Sequence, residues 1–174
     1  PMTIEGLKVT LGVFAVTLIF ALPLAVVVAL LRLSKNRLVS GITAGYIYVM
    51  RGTPLLLQLM FIFFGFHFVP VIGYSFSRFQ AIYIAFILNY TAYFAEIFRA
   101  GINPIPIGQY EGATVLGMSK SFTFMKIILP QVIKTVVPAV GNEVITLVKD
   151  TSLVYILGAS DILKAARSVS NVYS

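Results

Sequence analysis

Glu143 is the carboxylate in this chain with the least obvious reason to be where it is. It follows Asn142, lies just past Pro138 and Gly141, and sits in the apolar run 127–148, whose only other charge is Lys134. A charge near the centre of a membrane helix costs roughly 2.5–3.5 kcal/mol on insertion scales, so it invites a functional explanation. Pro138 and Gly141 predict a local break in that helix, and a carboxylate presented at such a break suits a guanidinium or ammonium group. Pairing with an internal base such as Arg51, or with a lysine, would serve it equally well. Glu96 precedes Arg99 by three residues, the spacing of a pair on one helix face; contact with a ligand is the other role open to it. Thr53, Gln58 and Asn89 are neutral donors and acceptors in apolar surroundings, suited to lining a polar cavity.

The sequence shows no apparatus for breaking bonds. His67 is the only histidine and cysteine is absent, which removes multi-His and thiolate metal sites and any disulfide framework. A lone histidine near a membrane boundary reads as an ordinary polar interface residue. Gly112 and Gly117 are spaced like two glycines of a phosphate loop, but Met118 and Ser119 follow where Lys and Ser/Thr are needed. The expectation is no catalytic residue, no metal and no cofactor in this chain; any ATP-driven step would need a separate ATPase.

The elements that must position these groups are membrane helices. Hydrophobic residues make up 59% of the chain and charged ones 11%, against about 25% charged in an ordinary soluble domain. Residues 9–31 carry no charge and exceed the roughly 20 residues a helix needs to cross a bilayer. The runs 42–66, interrupted by Arg51, 79–98, carrying Glu96, and 127–148 complete four candidate spans. The first is too long for a signal-peptide core of about 7–15 residues and has no basic leader, so it reads as a retained helix. No soluble domain or repeat is visible, and 1–174 reads as one transmembrane domain.

Arg32, Lys35 and Arg37 follow the first span, while Arg99, Lys120 and Lys126 flank the loop after the third. Single crossings put both loops on one face, and the positive-inside tendency makes that face cytoplasmic, with the N-terminus outside. Lys149, Asp150, Asp161, Lys164 and Arg167 then fall outside, where an outer gate or a solvated loop would use them. The net charge of +7 has a membrane explanation. A nucleic-acid partner is not expected, because no basic stripe interleaves with exposed aromatics.

Two places break the pattern. Residues 35–50 predict a helix along or into the interface, with Gly41 and Gly45 spaced for close contact. Arg51-Gly52-Thr53-Pro54 then resets the chain, and 55–66 crosses; Pro23 predicts only a kink. The second place is the polar interval 103–122. Pro104 and Pro106 should stop the third helix, and a short helix should run over 108–116, with Glu111 near its positive end and Gly117 as a left-handed cap. Gly112 and Ala113 keep that helix slim, and Leu116 closes it. Pro130 marks the entry to the next span.

The spacing Glu111-x-Ala113-x3-Gly117-x9-Ile127-x-Leu129-Pro130 resembles the cytoplasmic "EAA" loop of ABC-importer permease subunits, with Gly112 in place of the usual Ala. Arg51-Gly52-Thr53-Pro54-Leu55-Leu56-x-Gln58, Ala95-Glu96-Ile97-Phe98-Arg99-x-Gly101-Ile102, Gly108-Gln109-x-Glu111 and Lys149-Asp150-Thr151-Ser152-Leu153 are similar to the polar amino-acid branch. The resemblance implies the all-α, type I importer transmembrane fold. It implies about four of the family's five core helices here, since the fifth would begin near Ser174. It also implies that the short helix is a coupling helix, with Glu111, Gly112, Ala113, Leu116 and Gly117 docking on the ATPase.

On this reading the chain is the permease of an ATP-driven importer of polar, basic amino acids in a bacterial or archaeal inner membrane. The expected partners are an ATP-binding subunit holding ATP and Mg, a second permease copy, an extracytoplasmic solute-binding protein and membrane lipid. The expected substrate-binding residues are Glu143, Asn142, Gln58, Thr53, Asn89 and Glu96. An importer of glutamine or another polar amino acid, an ion-coupled secondary transporter or channel, and a structural subunit without cargo are the rivals.

Overall fold

The computed structural model describes residues 2–65 and 76–155, with side chains from Gly6 onward; His67, Asp161, Lys164 and Arg167 lie outside the described residues. The described chain is helical throughout: α1 (Met2–Arg32), α2 (Arg37–Gly52), α3 (Leu55–Phe64), α4 (Arg78–Ile102), α5 (Ile107–Val115), α6 (Lys120–Thr123), a π turn (Phe124–Ile128), α7 (Leu129–Asp150) and a 3-10 turn (Thr151–Leu153). Among the described residues three stretches, Gly6–Arg32, Arg78–Ile102 and Lys120–Leu153, are long and apolar enough to cross a membrane, and a fourth exists if α2 and α3 count as one bent span.

α4 is the centre of the fold and packs against α1, α2, α3 and α7. On α1, every fourth residue from Val13 through Thr17, Ala21 and Ala25 to Ala29 is fully buried. The narrow alanine stripe lets two backbones approach closely, which is how helices associate where lipid offers no hydrophobic drive. α4 answers with Ala81, Ala85, Ala92 and Ala95, all fully buried, and fills the gaps with Ile82, Phe86 and Phe94. Where α4 meets α7, a Cβ added at Gly101 would collide with Val136 Cγ1 and approach a Val132 methyl to 3.3 Å. Gly101 is therefore a packing residue.

The joint between α2 and α3 bends by 103°. Thr53 is extended (φ −120°, ψ 143°), as the residue before a proline prefers, and Pro54 opens α3. A helix that stops leaves carbonyls without partners, and in hydrocarbon they must find others. Gln58 reaches back to supply them: its Nε2 donates to the carbonyls of Met50 (2.9 Å) and Thr53 (3.1 Å) and to Thr53 Oγ1 (2.7 Å). Asn89 Nδ2 adds bonds to Met50 O and to Gln58 Oε1, both 3.1 Å. This network ties the elbow to the middle of α4.

Two expectations about the helices need correction. α7 runs unbroken through Pro138 and Gly141. The proline removes only its own donor, and both Pro138 and Lys134, whose carbonyl loses its partner, lie on an exposed side of the helix. The irregularity sits earlier, in the π turn at Phe124–Ile128, beside Pro130, which lacks the N–H that Lys126 O would accept. The loop helix covers Ile107–Val115 with Pro106 as its N-cap. Glu111 thus falls in the second turn, beyond the first-turn reach of the helix dipole.

Gly101→Val should drive α4 and α7 apart at a cost of about 1–3 kcal/mol, read as a lower melting temperature of the purified transporter. Gln58→Leu keeps bulk but strands the Met50 and Thr53 carbonyls; a loss of about 1–3 kcal/mol per stranded group is expected. An unchanged melting temperature would show that the elbow does not depend on Gln58.

Candidate functional site

A cavity of about 370 Å³ opens where the elbow, α4 and α7 meet. α7 contributes Glu143, Thr146 and Asp150, spaced i, i+3 and i+7, so the three fall on one stripe of the helix. α4 contributes Asn89, Tyr90 and Tyr93, and the elbow contributes Thr53 and Pro54. Two carboxylates therefore face one space. Among the described residues neither is in an ion pair; the one such pair joins Glu96 to Arg99. Tyr90 OH donates to Asp150 Oδ2 at 2.7 Å, fixing that carboxylate, while Glu143 remains half-buried at the cavity wall.

The sequence-derived candidates divide between four places. Glu143, Thr53 and Asn89 meet in this cavity. Gln58 lies behind it, engaged in the elbow network and bordering an apolar pocket of about 460 Å³ beneath the joint. Asn142 is exposed and does not line the cavity; its carbonyl accepts from Thr146 Oγ1 at 3.1 Å. Glu96 lines a different cavity and receives both Nε (2.9 Å) and Nη2 (2.5 Å) of Arg99.

Asp150 corrects the topological reading most sharply. It was expected in an outer loop, yet it bonds to Tyr90, halfway along α4. The missed signal was its spacing of seven from Glu143, two helical turns that put both on one face. Tyr90 and Tyr93 were hidden among nine tyrosines and fourteen phenylalanines.

The second candidate site is α5 and its cap. Gly117 has φ +71°, the left-handed region where glycine carries no penalty. Its N–H bonds to Thr114 O (2.9 Å) and that of Met118 to Ala113 O (3.0 Å), the paired bonds of a Schellman cap. Ala113 is buried, while Ile107, Val115 and Leu116 are 72%, 87% and 73% exposed. Glu111 and Gly112 are exposed as well. Ser119 then caps α6 by accepting from Phe122 N–H at 3.3 Å, and Gln131 on α7 reaches Gln109 on α5 at 3.4 Å. α5 thus presents three large apolar side chains, Ile107, Val115 and Leu116, outside the packed helices.

Comparison with known proteins agrees with this architecture. Residues 21–170 match the family described as binding-protein-dependent transport system inner membrane component. The arginine transport system permease protein ArtQ of Bacillus subtilis is 40% identical over 167 residues, covering 95% of this chain and 75% of that protein. The putative glutamine transport system permease protein GlnP of Rickettsia felis is 39% identical over 167 residues, covering 96% and 76%. The crystal structure of an amino acid ABC transporter with histidines superposes with a TM-score of 0.78 at 35% identity, over 99% of this chain and 79% of that one. Family match, sequence identity and superposition point the same way: the chain belongs to the binding-protein-dependent transport system inner membrane components, among the permease subunits of amino-acid ABC importers.

Proposed function

We propose that this permease carries basic amino acids, arginine, lysine or histidine, and that the cavity between the elbow, α4 and α7 holds the cargo. The observation that carries this reading is the pair of carboxylates, Glu143 and Asp150, lining one space without a basic partner in ion-pair range among the described residues. Glu143 accepts from the cationic side chain, and Asp150, held by Tyr90, supplies the second negative charge. Thr53 and Asn89 offer neutral contacts to the rest of the molecule. The arginine transport permease among its relatives supports the same cargo. A glutamine cargo is the second reading, supported by the name of the Rickettsia relative and by these neutral groups.

Transport proceeds by alternating access between two permease copies in the cell (inner) membrane, with the N-terminus outside and α5 in the cytoplasm. An extracytoplasmic solute-binding protein delivers the amino acid. A separate subunit, holding ATP and Mg, closes against α5. The apolar trio Ile107, Val115 and Leu116 enters its groove, while Ala113 and the Gly117 cap keep the helix short and rigid.

Two experiments test this. Vesicles containing the permease with its ATPase and binding protein should take up labelled arginine only with ATP. Glu143→Gln should weaken cargo affinity about 10- to 100-fold, the loss of one hydrogen bond to a charged group. Uptake driven by an ion gradient without ATP would refute the importer mechanism; ATP-driven glutamine uptake indifferent to Glu143→Gln would refute the basic cargo. For coupling, Gly117→Val places a β-branched residue at positive φ. It should leave subunit assembly intact but lower ATPase stimulation by the loaded binding protein. Full stimulation in that variant would remove α5 from the coupling pathway.

A further inference from the structure

A second cavity, of about 560 Å³, lies between the ends of α1, α2 and α4, and three guanidinium groups from three helices line it: Arg32, Arg51 and Arg99. The only carboxylate there, Glu96, is already held by two nitrogens of Arg99. Arg32 Nη1 donates to the neutral Ser40 hydroxyl at 2.8 Å, and Arg51 lies 5.4 Å from the ring centroid of Tyr93. Neither Arg32 nor Arg51 has a carboxylate in ion-pair range among the described residues. The cluster is cationic, and nothing described around it balances the charge.

Its surroundings say which anion fits. On α2, Leu38, Ile42 and Tyr48 are 70%, 68% and 80% exposed; on α1, Leu24, Val27 and Leu31 are exposed too. Tyr48 lines the cavity and Leu31 directly precedes Arg32; a vestibule for a soluble anion would be ringed by hydrated groups, whereas the two helices that bear this one carry apolar surface that acyl chains can cover. It lies where the first span ends, on the side that the basic loops assign to the cytoplasm. Basic pockets between membrane helices on that side are suited to anionic headgroups. We propose that this cavity binds the phosphate of an anionic phospholipid of the cytoplasmic leaflet. Arg51 directly precedes the elbow and packs on Tyr93, which lines the cargo cavity, so a bound headgroup steadies the joint beside the cargo.

The test uses the assembled transporter in bilayer discs containing equal phosphatidylglycerol and phosphatidylethanolamine, with retained lipids identified by native mass spectrometry. Phosphatidylglycerol should be retained in preference. The double variant Arg32→Gln/Arg51→Gln should reduce that preference about fivefold per arginine, from about 1 kcal/mol per basic side chain at an anionic surface. Arg32→Lys/Arg51→Lys should keep most of it. No preference in the unmodified transporter, or one that survives the glutamine variant, overturns the proposal. Displacement of the lipid by millimolar glycerol phosphate or free arginine would reassign the site to a soluble oxyanion and also overturn it. The chain has no cysteine of its own, so Tyr48→Cys gives a single reporter. Cross-linking of two copies through it would show this face covered by a second permease, and the lipid assignment would fall.

Discussion

Backbone carbonyls at Met50 and Thr53 lose their helical partners where α2 stops, and this chain supplies new ones from two side chains. Gln58 and Asn89 close the gap left where α2 ends, and in doing so fix the 103° turn that carries α3 away from α2. The cavities on either side of the joint depend on that fixed turn. Thr53 faces the acidic cavity and Arg51 the basic one, and only Gly52 separates them. A softer elbow would blur both.

α4 is the rigid element against which the others are set. Its small residues receive the alanine stripe of α1, its Gly101 admits α7, and its Asn89 holds the elbow. Along the same helix, Tyr90 and Tyr93 face the acidic cavity while Glu96 and Arg99 face the basic one. A tilt of α4 would therefore alter both cavities together. α5 follows after only Asn103-Pro104-Ile105-Pro106, two prolines that stiffen the connection. The proposed coupling would use this short link, four residues between Ile102 and Ile107.

What could be read from the sequence followed the strength of local constraint. Pro54 disfavours helix at Thr53 and Gly52 weakens the turn before it, so the elbow was visible; its angle was not, because it is set by Gln58 and Asn89 across 31 residues of separation. Gly117 was legible as a cap since few residues tolerate its backbone. Glu143 stood out against an apolar run, whereas Asp150 was masked by its neighbour Lys149 and by hydropathy that ends the span too early. The expected break at Pro138 failed for a related reason: a proline deletes one hydrogen bond, and the rest of the 22-residue helix holds α7 together around it. The Glu96–Arg99 pair needed only the three-residue rule, while the convergence of Arg32 and Arg51 beside it required the fold.

Selection of a cationic cargo by the paired carboxylates is tested by comparing arginine with citrulline, which has nearly the same shape without the charge. Competing the two for ATP-driven uptake by the complete transporter isolates the electrostatic contribution. A strong preference for arginine is expected in the native chain, and its collapse in Glu143→Gln. Equal uptake of the two by the native transporter, or a preference untouched by that substitution, would contradict it.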